Sequence, residues 1–199
     1  PVVAAPAASQ SPASSNMDPA SVRAPFKAGS RYFFVASDSA LYVRESVTGP
    51  ARQLLAPRTF SALSPSPDGN YLAYTVSGAS PARQIRIRDV KTGRDVSEVV
   101  ANGRIFPKAW THNNKGFAYV RVDPNDGIER IYYHTVGQPP ANDVILFSHS
   151  QEPDWSYELQ VSDDGRYLVI TIFHKIDDHN RIYFIDLANP GKPNLNAPV

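Results

Sequence analysis

The chain has 199 residues, which is enough for one large domain or two small ones. Hydrophobic residues make up 42% and charged residues 20%, so the chain can bury a core and is not disordered throughout. The 20 Lys and Arg residues nearly balance the 19 Asp and Glu residues, which gives no electrostatic reason to expect nucleic acid or an anionic membrane as a partner. Cysteine is absent, which excludes disulfides, thiolate metal sites and cysteine nucleophiles, and no apolar run is long enough to predict a membrane-spanning helix.

The first segment, residues 1–24, is dominated by Ala, Ser, Pro and Val. Such a composition buries too little apolar surface to offset the entropy of ordering the chain, so we predict a flexible leader. Two origins remain open: the region after a signal peptide with a spacer, or a linker remnant. The compartment is therefore unknown, and the leader favours a periplasmic or secreted protein over the alternative, a cytoplasmic one.

After the leader, one layout occurs four times: a turn that contains glycine, a run rich in aromatic and β-branched residues, a gap, and a second alternating run. The first runs are AGSRYFFVAS (28–37), SPDGNYLAYTVS (66–77), NNKGFAYVRV (113–122) and DDGRYLVITIF (163–173), and the second runs are ALYVRES (40–46), QIRIRDV (84–90), RIYYHTV (130–136) and RIYFIDL (181–187). The turn glycines are Gly29, Gly69, Gly116 and Gly165, which are spaced by 40, 47 and 49 residues. Similarity at such a period is typical of a repeat architecture.

Side-chain alternation indicates which faces of these strands are buried. Ile85 and Ile87 are expected to share one buried face, because successive side chains along a strand point to opposite sides. Along residues 181–187 large apolar side chains occupy both alternations, with Ile182 and Phe184 on one of them. We therefore expect this last strand to be buried on both faces.

Two further strands fit each complete unit, at 60–66 and 95–101 for the second repeat and at 107–113 and 143–149 for the third. Four antiparallel strands at a period of about 40 to 50 residues are the signature of a β-propeller blade. We predict an all-β fold: a partial β-propeller of about four blades over residues 25–187. A β-sandwich also has short strands but predicts no such repeated layout.

The proline-rich segment 188–199 suits a tail or connection better than a strand. The last blade is therefore expected to be incomplete, and because an incomplete blade leaves an exposed sheet edge, the chain is expected to be part of a longer one.

Four segments in order, PFKAGSRYFF (25–34), AWTH (109–112), RIYYH (130–134) and EPDW (152–155), resemble the propeller domain of the prolyl oligopeptidase family. These are serine peptidases that cut short peptides after proline, and the resemblance covers about residues 25–187. It implies that the chain is the N-terminal propeller of such a peptidase, which gates the active site and admits short, flexible peptides. The implied partners are the C-terminal α/β-hydrolase domain of the same protein and short proline-containing peptides, with no nucleic acid and no membrane.

The catalytic domain of that family has no counterpart in this sequence. Its nucleophile serine stands on a G-x-S-x-G elbow, and the nearest text, SGASP (77–81), lacks the second glycine. We therefore expect no catalytic, cofactor-binding or metal-binding residues in this chain, no cofactor, and no activity of the chain by itself. A non-enzymatic propeller that binds a protein or a ligand remains the alternative.

Other chemistry-bearing residues have simpler interpretations. The chain has five histidines: His112, His134, His149, His174 and His179. No pair has the i, i+4 spacing of a zinc-binding helix. A new Ser-His-Asp triad is disfavoured, and spacing does not test it, because a triad is defined by its geometry. DPNDG (123–127) resembles a calcium loop, but Gly127 comes one residue early, so a turn between strands is expected. IDDH (176–179) is interpreted as a polar hairpin loop rather than a carboxylate pair.

The two tryptophans and one basic run have structural interpretations. Trp110 and Trp155 each lie near the start of a unit and are expected to fill the space between neighbouring sheets, with an aromatic wall of the channel as the alternative. The three arginines of residues 83–88 are expected to form a solvated face rather than a phosphate-binding patch.

Overall fold

The computed structural model describes residues 25–76, 83–123, 125–148, 155–174 and 180–199, and the leader lies outside them. The first two sheets contain β1 (Phe26–Ala28), β2 (Arg31–Val35), β3 (Leu41–Arg44), β4 (Arg52–Leu55), β5 (Phe60–Pro65), β6 (Tyr71–Val76), β7 (Gln84–Asp89) and β8 (Arg94–Ala101). The remaining strands are β9 (Gly103–Trp110), β10 (Gly116–Val122), β11 (Glu129–Thr135), β12 (Val144–Ser148), β13 (Trp155–Val161), β14 (Tyr167–His174) and β15 (Arg181–Asp186), with a short 3-10 helix at Pro140–Asn142. Among the described residues, no helix has the length and apolar character needed to cross a membrane.

The strands form four antiparallel meanders in chain order, which are the blades of a propeller. Blade 1 has the order β1-β2-β3-β4 and blade 2 the order β5-β6-β7-β8. Blade 3 (β9 to β12) and blade 4 (β13 to β15) share one seven-stranded sheet, because β9 pairs in parallel with β13 at Lys108 and Gln160. The predicted all-β, four-blade pattern with an incomplete last blade is confirmed for the part of the chain that the structure describes.

Each buried cluster lies between two neighbouring blades. Blades 1 and 2 enclose Phe33, Leu41, Val43, Leu55, Leu72 and Val90. Blades 2 and 3 enclose Ile85, Ile87, Val100, Trp110, Phe117 and Tyr119. Blades 3 and 4 enclose Val120, Ile131, Leu159, Leu168, Ile170 and Ile185. Because each such side chain contributes about 1.5–3 kcal/mol when it is removed from water, these interfaces hold the blades together.

The predicted burial of the third strand of a blade is confirmed in blade 2 and is wrong in blade 4. Ile85 and Ile87 are fully buried, as expected. On β15, however, Ile182 is 68% exposed and Phe184 57% exposed, so this strand is buried on one face only. The physical reason is that no described sheet lies over the far face of blade 4.

The turn that follows the inner strand corrects the alignment of the repeats. Gly69 and Gly165 adopt positive φ angles of 73° each, and Asn114, with a φ of 61°, takes the same place in blade 3. Gly116 instead begins β10, where a Cβ atom would lie 2.1 Å from the carbonyl oxygen of His134. The glycine spacing read from the sequence therefore matched a strand residue in blade 3 to turn residues in the other blades.

A hydroxyl group stabilises this turn in three of the blades. Ser66 donates a hydrogen bond to Asp68 at 2.6 Å in blade 2, and Ser162 donates to Asp164 in blade 4. In blade 3 the Thr111 hydroxyl takes this place and donates to Asn113 Oδ1 at 2.7 Å. Such short side-chain bonds favour a turn over a continued strand, so each one sets the point where the inner strand ends.

Candidate functional site: the axial groove

A groove of 450 Å³ lies where the inner strands β1, β5, β9 and β13 converge, and we call it the axial groove. Its titratable lining residues come from three blades: Lys27 from blade 1, Lys108 and His112 from blade 3, and Asp163 from blade 4. The His112 ring also packs against the turn of blade 4, since a Cβ on Gly165 would lie 2.6 Å from His112 Nδ1. The groove therefore combines two ammonium groups with one carboxylate and one imidazole.

Close contacts between turns fix one end of the axial groove. A Cβ on Gly29 would lie 2.1 Å from the carbonyl oxygen of Asp68, and one on Gly69 would lie 2.4 Å from that of Ala28. Both glycines have positive φ, so only a residue without a side chain fits these positions. Blade 3 joins the contact because Asn114 Oδ1 accepts a hydrogen bond from the Asp68 N–H at 3.0 Å. The turns of the first three blades are thus held against one another.

Trp110 fills the space between blades 2 and 3, as the sequence predicted. Its side chain is buried, and its Nε1–H donates to the carbonyl oxygen of Ser64 at 2.9 Å. Its ring stacks on Tyr71 with 6.5 Å between centroids and lies 4.9 Å from the ring of Phe117. Trp110 also lines the axial groove, but its side chain is only 2% exposed, so packing between the blades accounts for nearly all of its surface. The side chain of Trp155 lies outside the described part.

Prolines make up part of the groove wall. Pro65, Pro67 and Pro107 line it, on or beside the inner strands β5 and β9. Proline has no backbone N–H to donate and is a means by which sheet edges avoid pairing with another chain. These proline positions therefore cannot donate a backbone hydrogen bond to an added strand.

A second set of titratable groups is buried inside blade 3. Tyr119 donates to Asp143 Oδ2 at 2.6 Å, and His134 Nδ1 lies 2.8 Å from Asp143 Oδ1. Burial, followed by the hydrogen bond to Asp143, raises the pKa of Tyr119 far above its usual value, so the phenol remains a donor. Because the His134 side chain has no exposed surface, this cluster ties the segment before β12 to the sheet and cannot meet a substrate.

The remaining histidine and carboxylate candidates fall mostly outside the described residues. These are His149, His179, the side chain of His174 and the IDDH segment at 176–179. Within the described ranges, no group of three or more His, Asp or Glu side chains is placed to hold a metal ion.

The described residues of the DPNDG segment, 123 and 125–127, form a turn between β10 and β11, as predicted. Gly127 has a φ of 72°, and its N–H donates to the carbonyl oxygen of Asp123 at 2.9 Å. The carboxylates are engaged by one side chain, since Arg130 forms ion pairs with Asp123 at 3.1 Å and with Asp126 at 2.5 Å. These carboxylates therefore stabilise the turn.

The arginine run of residues 83–88 behaves differently from the solvated face that the sequence predicted. Arg88 pairs with Asp95 at 2.7 Å and donates to the carbonyl oxygen of Leu54 in blade 1 at 2.9 Å. Arg86 also lies near Asp95, at 3.6 Å, and Arg83 is exposed. The prediction is wrong for Arg88, because β8 supplies a carboxylate and blade 1 a carbonyl group beside it.

The two lysines of the axial groove come from distant parts of the sequence. Sequence reasoning missed Lys27 and Lys108 as a pair, because they stand 81 positions apart in the numbering and meet only through the convergence of inner strands. The repeat period was the one available signal, since equivalent positions of successive blades face the same axis.

Comparison with known families gives a direct match. A family model described as prolyl oligopeptidase, N-terminal β-propeller domain, matches residues 13–198. The chain is 28% identical over 147 residues to the dual function macrocyclase-peptidase POPB of Galerina marginata, covering 63% of this chain and 20% of that protein. It is 29% identical over 126 residues to the prolyl oligopeptidase ophP of Omphalotus olearius, covering 52% and 17%. The chain thus spans about a fifth of the length of these curated relatives.

Solved structures show the same fold. A prolyl endopeptidase from a study of two such enzymes has a TM-score of 0.75 and 25% identity, covering 85% of this chain and 28% of that chain. Prolyl oligopeptidase B from Galerina marginata, bound to a 35mer hydrolysis and macrocyclization substrate, has a TM-score of 0.71 and 22% identity, covering 83% and 28%.

Proposed function

Because the match over residues 13–198 shows that this chain belongs to the prolyl oligopeptidase family as its N-terminal β-propeller domain, we propose that it is the substrate filter of a serine endopeptidase that cleaves short peptides after proline. In this proposal a C-terminal α/β-hydrolase domain of the same protein supplies the serine nucleophile, the histidine base and the oxyanion donors. The propeller contributes gating, docking of that domain and part of the wall that the peptide meets.

The observation that carries the proposal is the convergence of four inner strands on the axial groove. Its volume of 450 Å³ falls in the range of about 300–1,000 Å³ that is typical of small-ligand sites. A space of this size accepts a few residues of extended chain and excludes a folded domain. A filter of this kind selects substrates by cross-section and needs no sequence-specific contact.

The groove lining supports passage rather than capture. Pro65 and Pro107 offer no N–H group to a peptide backbone, so a peptide that enters is not held as an added strand. Lys27 and Lys108 are exposed and carry flexible ammonium groups, which contact a passing peptide without fixing its register.

The proposal is tested first on the natural protein that contains this chain. Its intact mass is expected to lie far above 21.9 kDa, and a serine-directed phosphonate is expected to label it. It should cleave a short peptide after proline and leave the same sequence intact inside a folded protein. A protein that binds proline-containing peptides but is neither labelled nor able to cleave them would instead be the non-enzymatic binding module.

A groove variant tests the filter itself. Lys108→Trp narrows the axial groove, so kcat/KM should fall more for long peptides than for short ones. Lys91→Trp is the matched control, because Lys91 is also exposed and lies outside the groove. An equal loss for all peptide lengths, or the same loss in both variants, would place the entry route elsewhere.

A further inference from the structure

A second groove, of 540 Å³, lies between blades 1 and 2 at the opposite end of β5 from the axial groove. The β2–β3 turn, the β4–β5 turn and the start of β5 enclose it. Its apolar lining is Val35, Ala36, Phe60, Ala62 and Leu63, and its polar lining is Ser37, Ser39, Ser61 and Arg58. We call it the Arg58 groove.

Among the residues that the structure describes, Arg58 is the one charged residue that lines this groove. Within the described ranges its guanidinium has no hydrogen-bond or ion-pair partner. The carboxylate in the adjacent turn, Asp38, is occupied by the Ala40 N–H at 2.9 Å and by the Tyr42 hydroxyl at 2.8 Å. The groove therefore presents a guanidinium that forms no ion pair with the described residues, beside three hydroxyl groups and an apolar floor.

The backbone gives an independent indication of a role for this place. Arg58 has a φ of 57° and Ser39 a φ of 65°, so two of the five non-glycine residues with positive φ in the described part line one groove. Arg58 follows Pro57, and the residue after proline in a turn with positive φ is ordinarily glycine or asparagine. Such strained positions cluster at functional sites, because the side chain is needed where the backbone would prefer glycine.

We propose that the Arg58 groove binds the C-terminal carboxylate of a short peptide whose last side chain is apolar. The planar guanidinium of Arg58 donates to both carboxylate oxygens, and the serine hydroxyls are further donors. The last side chain lies on the apolar floor formed by Val35, Phe60 and Leu63, which pack on the cluster between blades 1 and 2. This binding is separate from the axial groove and does not depend on the proposed peptidase activity.

The test compares two probes on the natural protein that contains this chain. Acetyl-Ala-Leu with a free carboxylate and acetyl-Ala-Leu amide differ only in the terminal charge, and both lack proline. Calorimetric titration should show the acid binding about tenfold more tightly, as expected for a charge-assisted hydrogen bond. Arg58→Gln should abolish this preference, whereas Arg94→Gln, at an exposed arginine outside the groove, should keep it.

A glycine variant separates binding from folding. Arg58→Gly relieves the positive φ, so its melting temperature should equal or exceed that of the wild type while the preference for the acid is lost. Equal affinity for acid and amide in the wild type would overturn the proposal. So would a preference for the acid that survives in Arg58→Gln.

Discussion

Two strands of nearly the same sequence differ in burial: one is covered on both faces and the other on one face only. The third strand of blade 3, β11, contains RIYY from residue 130, and the third strand of blade 4, β15, begins with RIYF at residue 181. Ile131 and Tyr133 are buried, while their counterparts Ile182 and Phe184 are mostly exposed. The difference is the neighbour: blade 4 covers one face of β11, and no described sheet covers that face of β15.

One face of a propeller strand is buried only when the next blade packs against it. Alternation assigns side chains to faces, but burial of the second face requires the next repeat. The face of β15 that carries Ile182 and Phe184 is therefore equivalent to an interface between blades.

The largest expected effect is on the free energy of unfolding, when the equivalent isoleucines of β11 and β15 are each truncated to alanine. In the 199-residue chain, Ile131→Ala should lower the free energy of unfolding by about 2–5 kcal/mol, because it leaves a cavity between blades 3 and 4. Ile182→Ala should change it by less than about 0.5 kcal/mol, since that side chain is exposed. Urea denaturation followed by fluorescence measures both. Equal losses would mean that β15 is already covered in solution.

An effect of intermediate size is expected on the self-association of the chain through the exposed face of β15. The double variant Ile182→Lys, Phe184→Lys removes the exposed apolar pair on an edge strand, so sedimentation should show less self-association of the 199-residue chain. Val47→Lys is the control, because Val47 is also exposed but lies in a turn. If the control reduces association equally, general charge rather than the β15 face is responsible.

The smallest expected effect is the pH dependence of stability that Asp186 contributes to β15. The hydrogen bonds from Arg166 and then from the Ala188 N–H lower the pKa of Asp186, whereas β11 has Thr135 at the same place. A lowered folded-state pKa gives stability that is present above the unfolded value, about 3.9, and is lost as pH falls through the folded value. Asp186→Thr should therefore flatten the acid limb of a plot of unfolding free energy against pH.

The control for this experiment is Asp163→Asn, because Asp163 has no ion-pair partner among the described residues. An acid limb that is as steep in Asp186→Thr as in the wild type would mean that the ion pair with Arg166 contributes nothing to acid sensitivity.

The sequence was sufficient for the strands whose pattern is local. The period of two and the glycine-containing turns located β6, β7, β10 and β11 within a few residues, because each pattern is set by neighbouring positions. It did not locate the three-residue strand β1 or the four-residue strand β4 as strands. Both are too short to show an alternation, and their pairing with the rest of blade 1 defines them.

The candidate sites were harder to predict, since they depend on contacts between repeats. Arg88 looks solvated in the sequence, and only the approach of β8 and of blade 1 gives it Asp95 and the carbonyl group of Leu54. The positive φ of Arg58 has no sequence signal, because the residue type argues against it. The prediction that Gly116 is the turn residue of blade 3 was wrong for a related reason, because Asn114 adopts the positive φ that the pattern assigned to glycine.

The exposed face of β15 also has a consequence for how such a protein is made. Blades are contiguous in sequence, so during translation each one can fold before the next has left the ribosome, at about 5–20 residues per second. For a time the nascent chain then ends in a blade with its outward face bare, as Ile131 and Tyr133 of blade 3 would be before blade 4 is synthesised. The bare face of blade 4 resembles such a nascent intermediate, and slow codons after each repeat would lengthen the period in which chaperones must shield it.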